Sequence, residues 1–320
     1  LKPSVISLFS GCGGLDLGFI KAGFEVVFAN DIDKEACESY EKNIGKHILC
    51  KDIYTLDVKE IPNADILIGG FPCLGFTIAN GKNRDLNSHY NSLYLEYARV
   101  LKAKQPKYFL VENVAGIQSG KAFREHFFTQ ILPTFERCGY ELKHSILNAS
   151  DYQVPQNRKR VIIIGRRKDI KEEIDFPKPL NLKAKTLFEA IGDLPKDYDE
   201  NISNHTGSTH KIRINGYIGN RALSWDKQAP TITGRGSRGG GAVIHPHPNL
   251  QRRLSVRECA RIQSFPDDFI FYGSKGAAYA QIGNAVPPLM SFHIANEFRK
   301  AFDLKPKKFT AKEWNLPYIT

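Results

Sequence analysis

Of the 320 residues, 42% are hydrophobic and 25% charged, ordinary values for a soluble globular protein, and disorder is excluded as the main state. The longest apolar runs, such as Val161 to Gly165, fall far short of the ~18 residues that span a bilayer. The start, Leu1-Lys2-Pro3, is no secretion signal, and six cysteines without a Cys-x-x-Cys pair are no disulfide framework, so a reducing cytoplasmic setting is expected. The length exceeds one ordinary domain of ~100–200 residues, which predicts a large domain plus a smaller one.

Strand-like and helix-like segments alternate through the first half. Val5 to Phe9 reads as a buried strand, and Leu15 to Ala22 as a helix opened by a glycine cluster. Glu25 to Asn30 reads as a strand, Lys34 to Asn43 as a helix, and a third strand region ends at Asp52. Further strands are predicted at Ala64 to Gly69, Tyr108 to Glu112, Leu142 to Asn148 and Arg160 to Gly165. Helices are predicted over Ser92 to Lys104 and over Phe123 to Cys138, the second interrupted at Pro133. This rhythm implies an α/β fold, a mostly parallel sheet with helices on both faces.

The rhythm stops near Ile170. From there to Leu250 the chain is rich in Gly, Asn, His, Pro and Arg. Val256 to Ile262 and Phe292 to Phe302 read as helices, and Lys305 to Lys308 as a solvated basic tail. Residues 204–263 carry ten Lys/Arg (211, 213, 221, 227, 235, 238, 252, 253, 257 and 261) against Asp226 and Glu258, a surplus of eight within a total of +11. A one-signed, glycine-rich region reads as a surface for a polyanion, with nucleic acid the leading candidate.

Phe9-Ser10-Gly11-Cys12-Gly13-Gly14 follows the first strand and opens a helix, where glycines allow a tight turn and close approach of a ligand. Asp31, ending the second strand, can accept bonds from two ribose hydroxyls, and Asp52 can receive an adenine amino group. A pyrophosphate fingerprint beginning at Gly11 needs its third glycine at position 16, where Asp16 stands. A carboxylate at that helix N-terminus repels pyrophosphate. The pocket suits an adenosine ligand without phosphates, such as S-adenosylmethionine. The competing reading is a glycine turn that binds nothing.

Gly69-Gly70-Phe71-Pro72-Cys73 ends the fourth strand, where open α/β sheets place chemistry. The polar stretch from Leu74 to Asn91 reads as a loop able to close over a substrate. The other five cysteines read as small buried hydrophobes. Glu112-Asn113-Val114 ends the next strand near Cys73, and burial would raise the carboxyl pKa of Glu112. Asn113 reads alternatively as a helix cap. In Gln156-Asn157-Arg158-Lys159-Arg160, alternation puts Arg158 and Arg160 on one face. The bland reading is an edge-strand charge pair.

Taken in order, these residues resemble the DNA (cytosine-5) methyltransferase family of bacterial modification enzymes. Ser7 to Gly18 resembles its cofactor glycine motif, Gly70 to Cys73 its Pro-Cys motif, Glu112 to Val114 its Glu-Asn-Val motif and Gln156 to Arg160 its Gln-x-Arg-x-Arg motif. Arg253 to Arg261 through Phe265-Pro266-Asp267, and Gly283 to Pro288, resemble the two late motifs. Departures are Leu74 and Thr77 beyond the nucleophile, Phe71 in place of a frequent Pro, and Ile32 in place of a frequent aromatic; these bear on loop closure and cofactor affinity.

The resemblance implies a Rossmann-like S-adenosylmethionine-dependent sheet over 1–175 and 271–320, with a smaller, irregular target-recognition domain over 176–270 inserted into it. It implies Cys73 as nucleophile on cytosine C6, Pro72 shaping its turn, protonated Glu112 at N3, Arg160 near O2 and Arg158 in support. A base stacked in a duplex is out of reach, so the target swings out. The carried-over cofactor residues are Phe9, Gly11, Gly13, Asp31, Ile32, Asp52, Ile53, Leu93 and Asn284. DNA-side residues are Thr231, Arg221, Arg235 and Arg238, the last two reading guanine or touching phosphates only. Double-stranded DNA is the implied partner of a monomer, with a cognate restriction endonuclease at the same site; the setting is a bacterial or phage-encoded cytoplasmic protein, with no membrane and no metal. The alternatives are the related tRNA cytosine methyltransferases, disfavoured because no Cys-Phe-Thr stretch occurs, a non-catalytic DNA-binding relative, and an NAD-dependent oxidoreductase.

Overall fold

The computed structural model describes residues 2–72, 92–208, 211–216, 219–234 and 244–319. Its first half runs β1 (Ser4–Leu8), α1 (Gly14–Lys21), β2 (Glu25–Asp31), α2 (Lys34–Asn43), β3 (Ile48–Cys50) and β4 (Ile66–Gly69). Then come α3 (Leu93–Lys104), β5 (Tyr108–Val114), α4 (Lys121–His126), α5 (Leu132–Glu136), β6 (Tyr140–Asn148), β7 (Gln156–Asn157) and β8 (Lys159–Arg167). The later part holds α6 (Leu187–Ile191), β9 (Ala229–Pro230), α7 (Val256–Ile262), α8 (Lys275–Asn284), α9 (Pro288–Lys300) and α10 (Ala311–Trp314).

Seven strands form one sheet in the order β3-β2-β1-β4-β5-β8-β6. Neighbours from β3 to β5 are parallel, and β8 alone runs against the rest. The alternation read from the sequence becomes two packed faces. Val5, Ile66, Ile68, Leu110, Ile162 and Ile164 join one core, while Ile6, Leu67, Phe109, Val111, Val161 and Ile163 join the other. A side chain on each face at every second residue is what a two-sided sheet requires. The order reverses between β1 and β4, which creates a crevice at the carboxyl ends of these strands. Because β8 is antiparallel, its first residues return to that same edge, with Arg160 opposite Val114.

Three expectations change. The predicted break at Pro133 is instead a widened turn over Phe127–Ile131, with Pro133 seated in the first turn of α5 where its missing N–H costs little. The predicted basic tail is not the end of the fold. Asn296 clamps the Lys307 backbone in both directions, and Trp314, Leu316, Tyr318 and Ile319 beyond it are buried in the core. Thirdly, α8 escaped prediction because its Gly- and Ala-rich sequence has almost no apolar stripe; buried contacts on several sides hold it.

Candidate active site

The first loop at the crevice is built by conformation. Phe9, Gly11 and Gly13 all have positive φ, at 55°, 55° and 91°. Gly13 caps α1, and a Cβ there would strike Ile44 and lie 2.8 Å from Tyr40. At Gly11 a Cβ would meet nothing within 4 Å, so its backbone borders open space. The Gly11 N–H donates to Asp31 Oδ2 at 2.7 Å and the Asp33 N–H to Oδ1 at 2.9 Å. Burial raises the Asp31 carboxyl above its ordinary value, and those donors counter it. Each oxygen keeps a second lone pair for a ligand hydroxyl.

Around this loop the other predicted cofactor residues converge. Ile32 is 65% exposed beside Asp31, a large apolar side chain left uncovered at the pocket. Asp52 caps the short turn Ile53–Thr55 by accepting from the Tyr54 N–H at 3.0 Å. Ile53 and Leu93 are buried in one cluster, with Phe9 packed against it. Asn284 ends α8 and is exposed. A Cβ on Gly14 would collide with Val286 and come within 3.0 Å of Ala285, so the closing motif packs directly on the glycine loop.

Asp16 departs from the sequence argument. It is fully buried, and its carboxyl is raised to about 7, chiefly by burial, with the Ser7 and Tyr40 hydroxyls countering. It lies inside the molecule and not at the loop mouth where a pyrophosphate would sit. In α1 the Asp16 carboxyl turns inward to the hydroxyls of Ser7 on β1 and Tyr40 on α2.

Chemistry-bearing groups meet at the ends of β4, β5 and β8. Glu112 and Arg160 are buried together, with Arg160 Nε 2.7 Å from Glu112 Oε1. They stand diagonally across the β5–β8 ladder, on one face. A Cβ on Gly70 would lie 2.9 Å from Glu112 Oε2, so Gly70 lets the β4 strand end approach the carboxylate. Asn113 is no cap. It is buried, and its amide donates to the Phe71 carbonyl at 3.3 Å, tying down the turn that leads through exposed Pro72 toward position 73. Cys73, Leu74 and Thr77 lie outside the described residues, as do Arg235, Arg238 and the predicted closing loop.

Arg158 and Arg160 belong to one motif but have different surroundings. Arg158 is buried and donates to the carbonyls of Ile232 at 2.8 Å, Gly283 at 2.8 Å and Ala285 at 2.9 Å. All the located bonds of its guanidinium go to backbone, which suits support from behind the site and not contact with a base. Thr231 Oγ donates to the Asn157 carbonyl at 2.8 Å, so the predicted DNA-side segment is fastened to β7. Arg221 is exposed, with Nε on the Gly216 carbonyl at 3.0 Å.

The charge reading of residues 204–263 needs correcting. Lys211, Arg213, Arg221 and Lys227 are exposed, but Arg253, Arg257 and Arg261 are buried. Arg252 forms a two-pronged pair with Glu258, at 2.8 and 2.7 Å. Arg253 binds the carbonyls of Gly219, Ile244 and Lys211, and Arg257 those of Ser203, Pro266 and Phe269. Four of the ten cations therefore stitch irregular loops together. Chain without sheet or helix leaves carbonyls unserved, and a guanidinium with five donors serves several at once.

Comparison with known proteins supplies the family. The family model described as C-5 cytosine-specific DNA methylase matches residues 4–300. The chain belongs to that family. It is a DNA (cytosine-5) methyltransferase, and S-adenosylmethionine is the family's methyl donor. It is similar to the type II methyltransferase M.MthTI of Methanothermobacter thermautotrophicus, 41% identical over 94% of this chain and 98% of that one. It also resembles M.FnuDI of Fusobacterium nucleatum, 38% identical over 95% and 96%. Among solved structures, one described as a DNA modification methyltransferase encoded within an E. coli prophage superposes with a TM-score of 0.77 at 26% identity, covering 94% of this chain and all of that one. The S. pombe Dnmt2 methyltransferase, at 20% identity and a TM-score of 0.70 over 95% of this chain and 100% of its own, shares the fold.

Gln156, Gln263 and Gly70 were given no role of their own by sequence reasoning, and Asn113 only that of a cap. All four lay inside the spans of quoted motifs, and that was their only signal. Among the described residues no cluster of three or more His, Cys, Asp or Glu side chains is arranged to hold a metal, and no helix is long and apolar enough to cross a membrane.

Proposed function

We propose that this methyltransferase modifies a cytosine turned out of duplex DNA within a short specific sequence, through a transient bond between Cys73 Sγ and C6 of the base. The observation that carries this is the buried Glu112–Arg160 pair, reached by Gly70 and set beside the anchored Phe71-Pro72 turn that leads to Cys73. The Cys73 thiolate adds to C6 and makes C5 enamine-like. Glu112, protonated for this step, donates a hydrogen bond to N3 and Arg160 approaches O2, offsetting negative charge as the ring is attacked. Bound S-adenosylmethionine supplies an electrophilic methyl group for C5. A base then removes the C5 proton, the electron pair restores the C5–C6 double bond, and the Cys73 thiolate leaves.

The pocket fits that donor. An approachable backbone at Gly11, a carboxylate with spare lone pairs at Asp31 and an uncovered apolar surface at Ile32 match a polar ribose beside a flat base. Phe9, Gly13, Asp52, Ile53, Leu93 and Asn284 complete the set. Residues 1–175 and 271–320 serve catalysis, and 176–270 recognise the target; the loops stitched by Arg253 and Arg257 support that division. Thr231, Arg221, Arg235 and Arg238 face DNA in this reading. The type II names of its relatives support a role in protecting DNA against a cognate endonuclease, and in this reading the enzyme works as a cytoplasmic monomer.

Bisulfite sequencing of DNA from cells expressing the protein tests the reaction and its context together. Protected cytosines at one recurring sequence are expected, and their absence overturns the reading. Duplexes carrying 5-fluorocytosine at that position should become covalently attached at Cys73.

A further inference from the structure

Behind the site lies a buried polar joint. The segment 231–234 runs backbone against the C-terminal end of α8, so closely that a Cβ on Gly283 would strike Thr233 and one on Gly234 would strike Asn284. Arg158 bridges the two pieces through Ile232 on one side and Gly283 and Ala285 on the other. Gln156 Oε1 accepts from the Ile232 N–H at 2.9 Å and its amide donates to Gln263 Oε1. The Gln263 amide donates to the carbonyls of Ile282 and Ala285, both at 2.9 Å. Among the described residues no carboxylate lies in bonding range of this buried cation, and the ring of carbonyls offsets the cost of burying it. Burial lowers the Arg158 pKa well below its ordinary value, with Arg160 adding to the effect and Glu112 opposing it.

The joint touches three functional parts at once. Asn284 belongs to the cofactor pocket, Thr231 to the DNA side, and Arg160 stands two residues along the chain from Arg158. We propose that Arg158 is a positioning residue that couples the methyl-donor pocket to the DNA-facing segment, so that filling either site sets the other. It touches neither ligand. A link packed against both sites makes their affinities interdependent and reciprocal when binding of either ligand shifts it to a different arrangement. The inference rests on the function proposed above.

The test measures duplex affinity with and without S-adenosylhomocysteine, and S-adenosylhomocysteine affinity with and without duplex. In the natural protein each ligand should tighten the other by the same factor, about fivefold or more. In Arg158→Lys, whose point charge cannot span three carbonyls, the factor should fall to within about twofold of unity. Gly283→Ala, which wedges α8 off the 231–234 segment without removing the buried charge, should do the same. A merely structural role would weaken each ligand alone and leave the ratio unchanged. Independent binding in the natural protein, or a full coupling factor in either folded variant, overturns the proposal while leaving the proposed function standing. A chain that binds neither duplex nor S-adenosylhomocysteine overturns that function as well.

Discussion

The sheet half and the irregular stretch from about 195 to 262 both bury charge, and they treat it in opposite ways. In the sheet half, strands and helices satisfy their own backbone, so few carbonyls remain to receive a buried cation. Asp16 sits there without an ion-pair partner, its carboxyl held at about 7 by burial. In the irregular stretch the backbone is poorly self-satisfied, and Arg253 and Arg257 are drawn inside to bind three carbonyls each. Regular structure makes buried charge a burden, whereas irregular structure uses it as mortar. The Glu112–Arg160 pair stands at the border, where a strand edge meets the loops.

Substitutions can break or sharpen this contrast. The largest effect is expected at the reacting sulfur: Cys73→Ala should abolish methyl transfer in a radiolabel assay while duplex binding persists. Glu112→Gln should slow single-turnover chemistry by about 10²–10⁴ with cofactor affinity nearly intact; an unchanged rate would remove its acid role.

Asp16→Asn addresses the burden. A carboxyl raised from 3.8 to about 7 stabilises the fold fully below the lower value, and that contribution drains as pH rises through the upper one. The variant should gain stability over the natural protein at pH 8 relative to pH 4, by about 4 kcal/mol, read as urea midpoints. A pH-independent difference would show that burial does not act on this group.

Arg257→Met addresses the mortar. It strands three carbonyls and should lower unfolding stability by about 3 kcal/mol, with no specific change in the salt dependence of DNA binding. The smallest effect belongs to the exposed cations. Lys227→Ala should leave stability alone and reduce the slope of log affinity against log salt by about 1 if it meets a phosphate. Were the two variants to trade phenotypes, the division between buried and DNA-facing cations would be wrong.

Much of the sheet half was legible because its central strands are short continuous apolar runs, the pattern of strands buried on both faces, separated by segments of helical period. Lys34–Asn43 and Val256–Ile262 are bounded as expected, since Asp33 and Ser255 cap them through side-chain bonds readable from composition. The order of motifs likewise identified the family. Local pattern failed where partners are distant. The tail beyond Lys308 is fastened by Asn296 and by a tyrosine bond from Tyr318 to the Arg261 carbonyl, 57 positions away.

The placing of Glu112 and Asp31 at strand ends beside the crevice was therefore legible in the sequence alone, because strand ends and glycine turns are local features. Which of the described arginines stay exposed and which are walled in was decided only by tertiary structure. A guanidinium looks the same in a sequence whether it meets a phosphate or three stranded carbonyls. The distinction depends on which distant backbone fails to satisfy itself, and in this chain Arg158, Arg253 and Arg257 serve that unmet demand.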